Sequence, residues 1–343
     1  MVVERKDDRK LCKCYLHLLK KLARVIASGT YIATCNSTAL VYKSLTKHQI
    51  FNPKNIMTNR TQATSIGGGF TALNWTNVLF FSFFHLIALI AAPLMFSWSA
   101  LGVALFLHWL FGGIGICMGY HRMLSHRSFR VPRWLEYIIA TFGALAIQGG
   151  PIFWVGGHRQ HHAHTEDLNK DPYSASRGFW WSHITWILYP NPESFDPKLY
   201  SHHAPDLAKQ GFYRFLDRYF LALQVPLGVG LYALGGWSFV VYGIFVRSVL
   251  LWHSTWFVNS ACHDQGYRNF AAKDGSRNLW WVSILTYGEG WHNNHHAYPH
   301  VAKSGFRWWE IDTTWMAIRS LQLLGLAKKV NLYPKGTIAS KSR

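Results

Sequence analysis

Charge is scarce in these 343 residues: 15% are Asp, Glu, Lys or Arg, against roughly 25% in soluble domains. Acids are the scarcer sign, 16 against 35 Lys and Arg, which leaves a formal net charge of +19. No charged residue occurs from Val78 to Tyr120, a run of 43, nor from Tyr219 to Val246, a run of 28. A spanning helix needs only about 20 apolar residues at ~1.5 Å each to cross ~30 Å of hydrocarbon, so an ordinary cytosolic enzyme is excluded. Cysteine is also short. Cys12, Cys14, Cys35, Cys117 and Cys262 form no CxxC pair, which removes a thiolate zinc site and a disulfide-stapled secreted domain. The chain has no HExxH zinc-protease motif and no flavin or nicotinamide fingerprint.

The excess of positive charge avoids the apolar blocks and reads as the flanks of membrane spans rather than a nucleic-acid surface. The first block divides at Ser97-Trp98-Ser99 and the second at Gly235-Gly236, giving four candidate spans at about 78–96, 100–119, 219–235 and 237–259. The predicted fold is an all-α integral membrane protein of two helical hairpins under a cytoplasmic cap, 120–218 and 260–343. The positive-inside rule makes the basic side cytoplasmic. Arg247, midway along the fourth span, must face protein or water rather than lipid. Gly112, Gly113, Gly115 and Gly119 lie inside a span, where small residues let helices approach closely. The stretch Tyr137–Gly157 is free of charge for 21 residues, but Gly149-Gly150-Pro151 interrupts it. The twelve residues before the break reach only ~18 Å, so it reads as an interfacial or re-entrant helix. Residues 1–56, net basic and without a sustained apolar run, read as a disordered extension ahead of a domain at 57–343. Near the C-terminus Trp308, Ile311, Trp315, Ile318, Leu321 and Leu324 recur at helical spacing before Lys328-Lys329, the pattern of an amphipathic helix.

What the sequence has in excess is histidine: 19, of which 15 fall between His121 and His300. They form three clusters, His121–His126 spaced HxxxxH, and two HxxHH motifs, His158/His161/His162 and His292/His295/His296. Spacings of three and four are expected to put all the imidazoles of an HxxHH motif on one helix face, within reach of a shared ion. Each cluster abuts an apolar segment, so all can meet at one membrane surface. Asn259 and His263 add a pair one turn apart. Nine imidazoles are too many for one metal and suit two. Imidazole suits Zn, Cu, Fe and Ni, and spacing does not choose among them. The architecture favours iron, because removing hydrogen from an unactivated methylene needs metal-activated oxygen. His85 and His108 read as satisfied core residues, His164, His183, His253 and His300 as structural or supporting, and His202-His203 as an exposed loop pair. Glu289, Asp167, Asp171 and Asp264 are candidates to orient the imidazoles.

These motifs, over about Asn74–Tyr333, resemble the membrane fatty-acid desaturases of the stearoyl-type Δ9 branch. The segments Gly288-Glu-Gly-Trp-His-Asn-Asn-His-His-Ala-Tyr-Pro299, Asn259-Ser-Ala-Cys-His263, Asp171-Pro172 and Gly178-Phe-Trp-Trp-Ser-His183 carry the resemblance. The chain is most similar to the acyl-lipid Δ9 desaturases of cyanobacteria. The resemblance implies a di-iron enzyme using O2, with His121, His126, His158, His161, His162, His263, His292, His295 and His296 as ligands and Asn259 acting through a water. It implies a bent acyl tunnel with Gln148, Trp154 and Thr255 at the bend and Trp109 and Gly113 near the closed end. Gly149, Gly156 and Pro190-Asn191 stand where animal acyl-CoA enzymes have polar or basic residues, which favours a glycerolipid-bound chain over acyl-CoA. A His-Pro-Gly-Gly haem motif is absent, so no cytochrome b5 domain is fused. The likeness points to a separate electron donor, ferredoxin, with cytochrome b5 the alternative, and to a plasma or thylakoid membrane. A membrane di-iron hydroxylase and a metal transporter are the competing readings.

Overall fold

The computed structural model describes residues 73–189 and 197–338, which fall within one unit, Ile66–Arg343. The extension at 1–56, with Cys12, Cys14 and Cys35, and the Pro190-Asn191 pair lie outside the described residues. The described residues are mostly helical and contain no strand, only isolated bridges. In chain order the helices that position the site are α1 (Trp75–Leu94), α2 (Trp98–Ser125), α3 (Arg133–Leu145), α4 (Pro151–His164), α5 (Pro197–His203), α6 (Gly211–Tyr219), α7 (Gln224–Asp264), α8 (His292–Ala297) and α9 (Thr313–Leu323).

Three of these, α1, α2 and α7, are long and apolar enough to cross a membrane. Asn74 and Ser97 start α1 and α2 as side-chain caps, accepting from the amides of Asn77 and Ala100 at 3.1 Å each. Much of α1 is apolar yet turned outward, with Leu89 72% and Leu94 81% exposed, as a lipid-facing helix requires. Straight, the 41 residues of α7 would reach ~60 Å. Gly235 (φ −158°, ψ 21°) and Gly236 (φ 62°, ψ −155°) break it, and the positive φ of Gly236 is open to glycine at little cost. The expected span from 219 starts later, because Tyr219 closes α6 and a turn follows. The expected 100–119 span runs on to Ser125, because its second half is π-helical.

The charge-free stretch after Tyr137 is broken where its Gly-Gly-Pro indicates: α3 ends at Leu145 and α4 begins at Pro151. Two amides at the start of α4, of Ile152 and Phe153, donate to Asp217 Oδ1 of α6 at 2.9 and 3.0 Å, satisfying donors that a helix start leaves open. Arg247 is fully buried. Its guanidinium donates to the carbonyls of Leu145 and Gly243 at 3.0 Å each and stacks over Phe111, so it faces protein and closes the C-terminal end of α3. The small residues of α2 do admit a neighbour, since a Cβ on Gly115 would lie 2.5 Å from the backbone of α3 at Phe142.

Two expectations are corrected. The amphipathic pattern from Trp308 is helical only over α9. Asp312 caps that helix, accepting from Trp315 N at 2.8 Å, and Glu310 Oε2 folds the preceding residues into a turn through Phe306 N and Arg307 N. Trp308 and Ile311 therefore precede the helix and are exposed, while Ile318 is buried in the core. His202 and His203 end α5 rather than sitting in a loop.

Candidate metal centre

The nine histidines of the sequence motifs converge. In the π-helical end of α2 the His126 amide donates to the His121 carbonyl at 3.1 Å, five residues back. That register brings residues five apart to one face, which is what an HxxxxH pair needs, and the two rings lie 4.8 Å apart. α4 supplies His158, His161 and His162, the end of α7 supplies His263, and α8 supplies His292, His295 and His296. They sort into two groups, His121/His126/His158/His162/His295 and His161/His263/His292/His296, with one nitrogen from each residue within 4.8 Å of the others in its group. Each HxxHH motif straddles both groups, which corrects the expectation that its imidazoles serve one shared ion. His158 and His162 enter the first group and His161 the second; His292 and His296 enter the second and His295 the first.

Within the groups bare ring nitrogens face one another. The Nε2 atoms are 3.1 Å apart for His121–His295, 2.9 Å for His126–His158, 3.0 Å for His162–His295 and 3.1 Å for His263–His292. A carboxylate only accepts, so an imidazole whose Nδ1 meets one keeps its proton there and turns a lone pair inward. Asp171 Oδ2 lies 2.9 Å from His161 Nδ1, Glu166 Oε1 3.2 Å from His263 Nδ1 and Asp274 Oδ2 2.7 Å from His296 Nδ1, all hydrogen-bonded. Glu289 Oε2 lies 2.9 Å from His121 Nδ1, out of hydrogen-bond alignment. His296 Nε2 is buried with no hydrogen-bond partner. Facing lone pairs about 3 Å apart suit donors arranged around a shared cation at roughly 2.1 Å. Burial, reinforced by the neighbouring rings, holds His126, His158, His162, His292 and His295 well below the usual imidazole range, so they are neutral and able to ligate. The residues fit a metal.

Of the four acids proposed as orienting groups, Asp171 takes that role, Glu289 stands against His121, and two do neither. Asp167 accepts from the amides of Asn169 and Lys170 in a turn, and Asp264 meets Gln265. Glu166 and Asp274 take their places. Neither lies in a periodic segment; Asp274 sits in a loop before Gly275 and Ser276, and only folding brings it to His296.

Asn259 lies one turn before His263 on α7. Gln148, Trp154 and Thr255 come together: Gln148 Nε2 donates to Thr255 Oγ1 at 3.1 Å, and Trp154 Nε1 donates to Gln148 Oε1 at 3.2 Å. The Trp154 indole stacks on His158 with centroids 5.1 Å apart. Trp109 and Gly113 sit apart from them beside Tyr287, whose hydroxyl bonds His108 Nδ1 at 2.6 Å. Among the described residues, several other histidines are bonded outside the two groups. His85, His253 and His183 form a string with 3.0 Å links that ends on Ser260, and His300 bonds the His126 carbonyl at 3.0 Å. Gly156 has a packing reason to be glycine, because a Cβ there would lie 2.3 Å from the Tyr200 carbonyl oxygen of α5. Its identity is therefore not by itself a sign of the substrate's head.

Helices long and apolar enough to cross a membrane and two histidine groups that could each hold a metal ion describe a membrane protein with a candidate metal centre. The chain belongs to the fatty acid desaturase family, whose profile matches residues 96–325. It is 70% identical over 263 residues to an sn-2 palmitoyl-lipid 9-desaturase of Nostoc sp. (strain 36), covering 77% of this chain and 92% of that protein. It is 52% identical over 264 residues to an sn-1 stearoyl-lipid 9-desaturase of Anabaena variabilis, covering 77% and 96%. A further sn-1 stearoyl-lipid 9-desaturase, of Synechocystis sp., is 51% identical over 269 residues, covering 78% and 83%.

Proposed function

We propose that this protein is an O2-dependent acyl-lipid desaturase that places a cis double bond at the Δ9 position of a saturated, glycerolipid-bound chain. One iron would be held by His121, His126, His158, His162 and His295, and the other by His161, His263, His292 and His296 with Asn259 through a water. The observation that carries the reading is the sorting of nine imidazoles into two buried groups, each of metal size. When bound, iron supplies the oxygen chemistry that removes two hydrogens from adjacent methylenes, which side-chain acids and bases cannot do. The protein's own part is orientation. Asp171, Glu166 and Asp274 fix the Nδ1 protons of His161, His263 and His296, and Glu289 stands against His121. The Gln148–Thr255–Trp154 network, stacked against His158, shapes the bend where the chain passes the metal groups, and Trp109 and Gly113 close its far end. Relatives named for lipid-bound palmitoyl and stearoyl chains support the substrate class.

In this reading the break in α7 separates a third from a fourth crossing. The residues from Gln224 to the break reach only ~18 Å, so the third extends into the turn at 220–223 and the end of α6. Ser238 Oγ donates to the Met95 carbonyl at 2.6 Å and Tyr242 Oη to the Ala92 carbonyl at 3.1 Å, which supports the Gly235-Gly236 turn lying beside the turn at Ser97. Two hairpins turning at the same end leave every histidine-bearing end on the opposite face, the basic, cytoplasmic one. That surface suits a separate acidic electron donor, ferredoxin in a cyanobacterial plasma or thylakoid membrane, with cytochrome b5 as the alternative. The test is expression in a host that lacks the activity, followed by separation of lipid classes and location of the double bond. A loss of two hydrogens at C9–C10 in glycerolipids is expected; a gain of one oxygen would make the protein a hydroxylase. His161→Ala and His295→Ala should each abolish product, and retained activity in either variant refutes the assignment.

A further inference from the structure

We propose that the two histidine groups hold metal unequally: the four-imidazole group is the tightly held, last-released site, because three carboxylates, Asp171, Glu166 and Asp274, back its ligands. The inference rests on the two-metal reading above and adds an order to it.

The asymmetry lies in what stands behind the imidazoles. In the four-imidazole group His161, His263 and His296 each meet a carboxylate, at 2.9, 3.2 and 2.7 Å. Among the described residues no Lys or Arg pairs with these three acids. Backbone amides hold them instead: Glu166 N and Tyr173 N donate to Asp171, Gly275 N to Glu166, and Ser276 N to Asp274. The carboxylates therefore stay rigid and keep their full negative charge toward the site. Among the described residues only His121 of the five-imidazole group lies against a carboxylate, Glu289, at 2.9 Å and out of hydrogen-bond alignment. That acid is shared with the buried Arg122 guanidinium, whose Nε lies 3.0 Å away and which also binds Asp312 at 2.9 Å. Two acids around one cation leave a net charge of about −1 there, against about −3 behind the smaller group.

A carboxylate behind a ligating imidazole raises the basicity of the inward nitrogen, and loss of such a partner costs about 10–100-fold in metal affinity. Its charge also attracts the cation directly, least screened at the buried Asp171 and most at Glu166, whose side chain is 28% exposed. The fifth imidazole of the larger group works the other way, as one further neutral donor. Two additional carboxylates, at about 10–100-fold each, outweigh it. Metal loading then has a sequence, the four-imidazole group filling first and emptying last. Asp171, Glu166 and Asp274 are positioning residues, since they act through the imidazoles.

The experiment uses the full-length protein purified in detergent, loaded with two equivalents of Fe(II) without O2 and mixed with excess chelator, with metal release followed by the chelate's absorbance. Two phases of one equivalent each are expected. Glu166→Gln and Asp274→Asn should speed the slow phase by about 10–100-fold and leave the fast phase in place. Glu289→Gln should speed the fast phase alone, and Asp274→Glu should restore slow release. A purely structural role would not separate the phases in this way. Two equivalents leaving in a single phase, or Glu166→Gln accelerating the fast phase, overturns the inference and leaves the two-metal reading intact. Binding of fewer than two equivalents overturns the two-metal reading and this inference with it.

Discussion

Adding one methyl group to Gly156 tests the packing on which the whole site depends. An ideal Cβ there lies 2.3 Å from the Tyr200 carbonyl oxygen and 2.8 Å from its Cα and carbonyl carbon. Ordinary contact begins near 3.4 Å, so α4 and α5 must part by about 1 Å, and what they meet is backbone, which cannot rotate aside. Alanine returns up to ~1 kcal/mol over glycine in a helix interior, while overpacking of this kind costs about 1–3 kcal/mol. Gly156→Ala should therefore destabilise the protein by up to about 2 kcal/mol. The larger effect is on function, because α4 carries His158, His161 and His162 into both groups. A displacement of ~1 Å at a reacting centre can cost ~100-fold in rate. The assay pairs a melting curve of the purified protein with desaturated lipid formed in the expression host. Gly102→Ala serves as the control, since nothing lies within 4 Å of a Cβ there, and it should be neutral or mildly stabilising. Wild-type melting and wild-type product from Gly156→Ala would refute the argument that this glycine is fixed by the approach of two backbones.

If the proposed tunnel ends at Gly113, Gly113→Phe should shift products toward shorter acyl chains, since a Cβ there already lies 3.1 Å from Tyr287 and 3.3 Å from Trp109; an unchanged profile by gas chromatography would remove these residues from the tunnel end. Asp217→Ala frees the amides of Ile152 and Phe153 and should cost about 0.5–2 kcal/mol of stability, with a melting temperature equal to wild type as the contrary result. Arg247→Met removes the 3.0 Å donor to the Leu145 carbonyl but leaves the 3.3 Å bond from Gln224 Nε2, and should destabilise by about 0.5–1.5 kcal/mol; a variant that melts at or above wild type would show that the charge contributes nothing to closing α3.

The sequence by itself marked the apolar runs long enough to cross a membrane and the nine histidines that converge. Both are local facts: apolar run length decides what can cross a bilayer, and spacings of three and four decide which imidazoles share a helix face. The halt at Gly149-Gly150-Pro151 and the break at Gly235-Gly236 were legible for the same reason, since glycine and proline act on their own backbone. Tertiary structure alone decided how the ligands divide. Successive residues on a helix point about 100° apart, so one HxxHH motif can serve two neighbouring metals, and which imidazole goes to which depends on where α2, α7 and α8 stand around α4. The π-helical register that makes HxxxxH a single face is likewise set by packing. Glu166 and Asp274 stayed invisible because loops carry no period. Their carboxylates gain meaning only when the fold sets them against His263 and His296, far away along the chain but within hydrogen-bond reach in space.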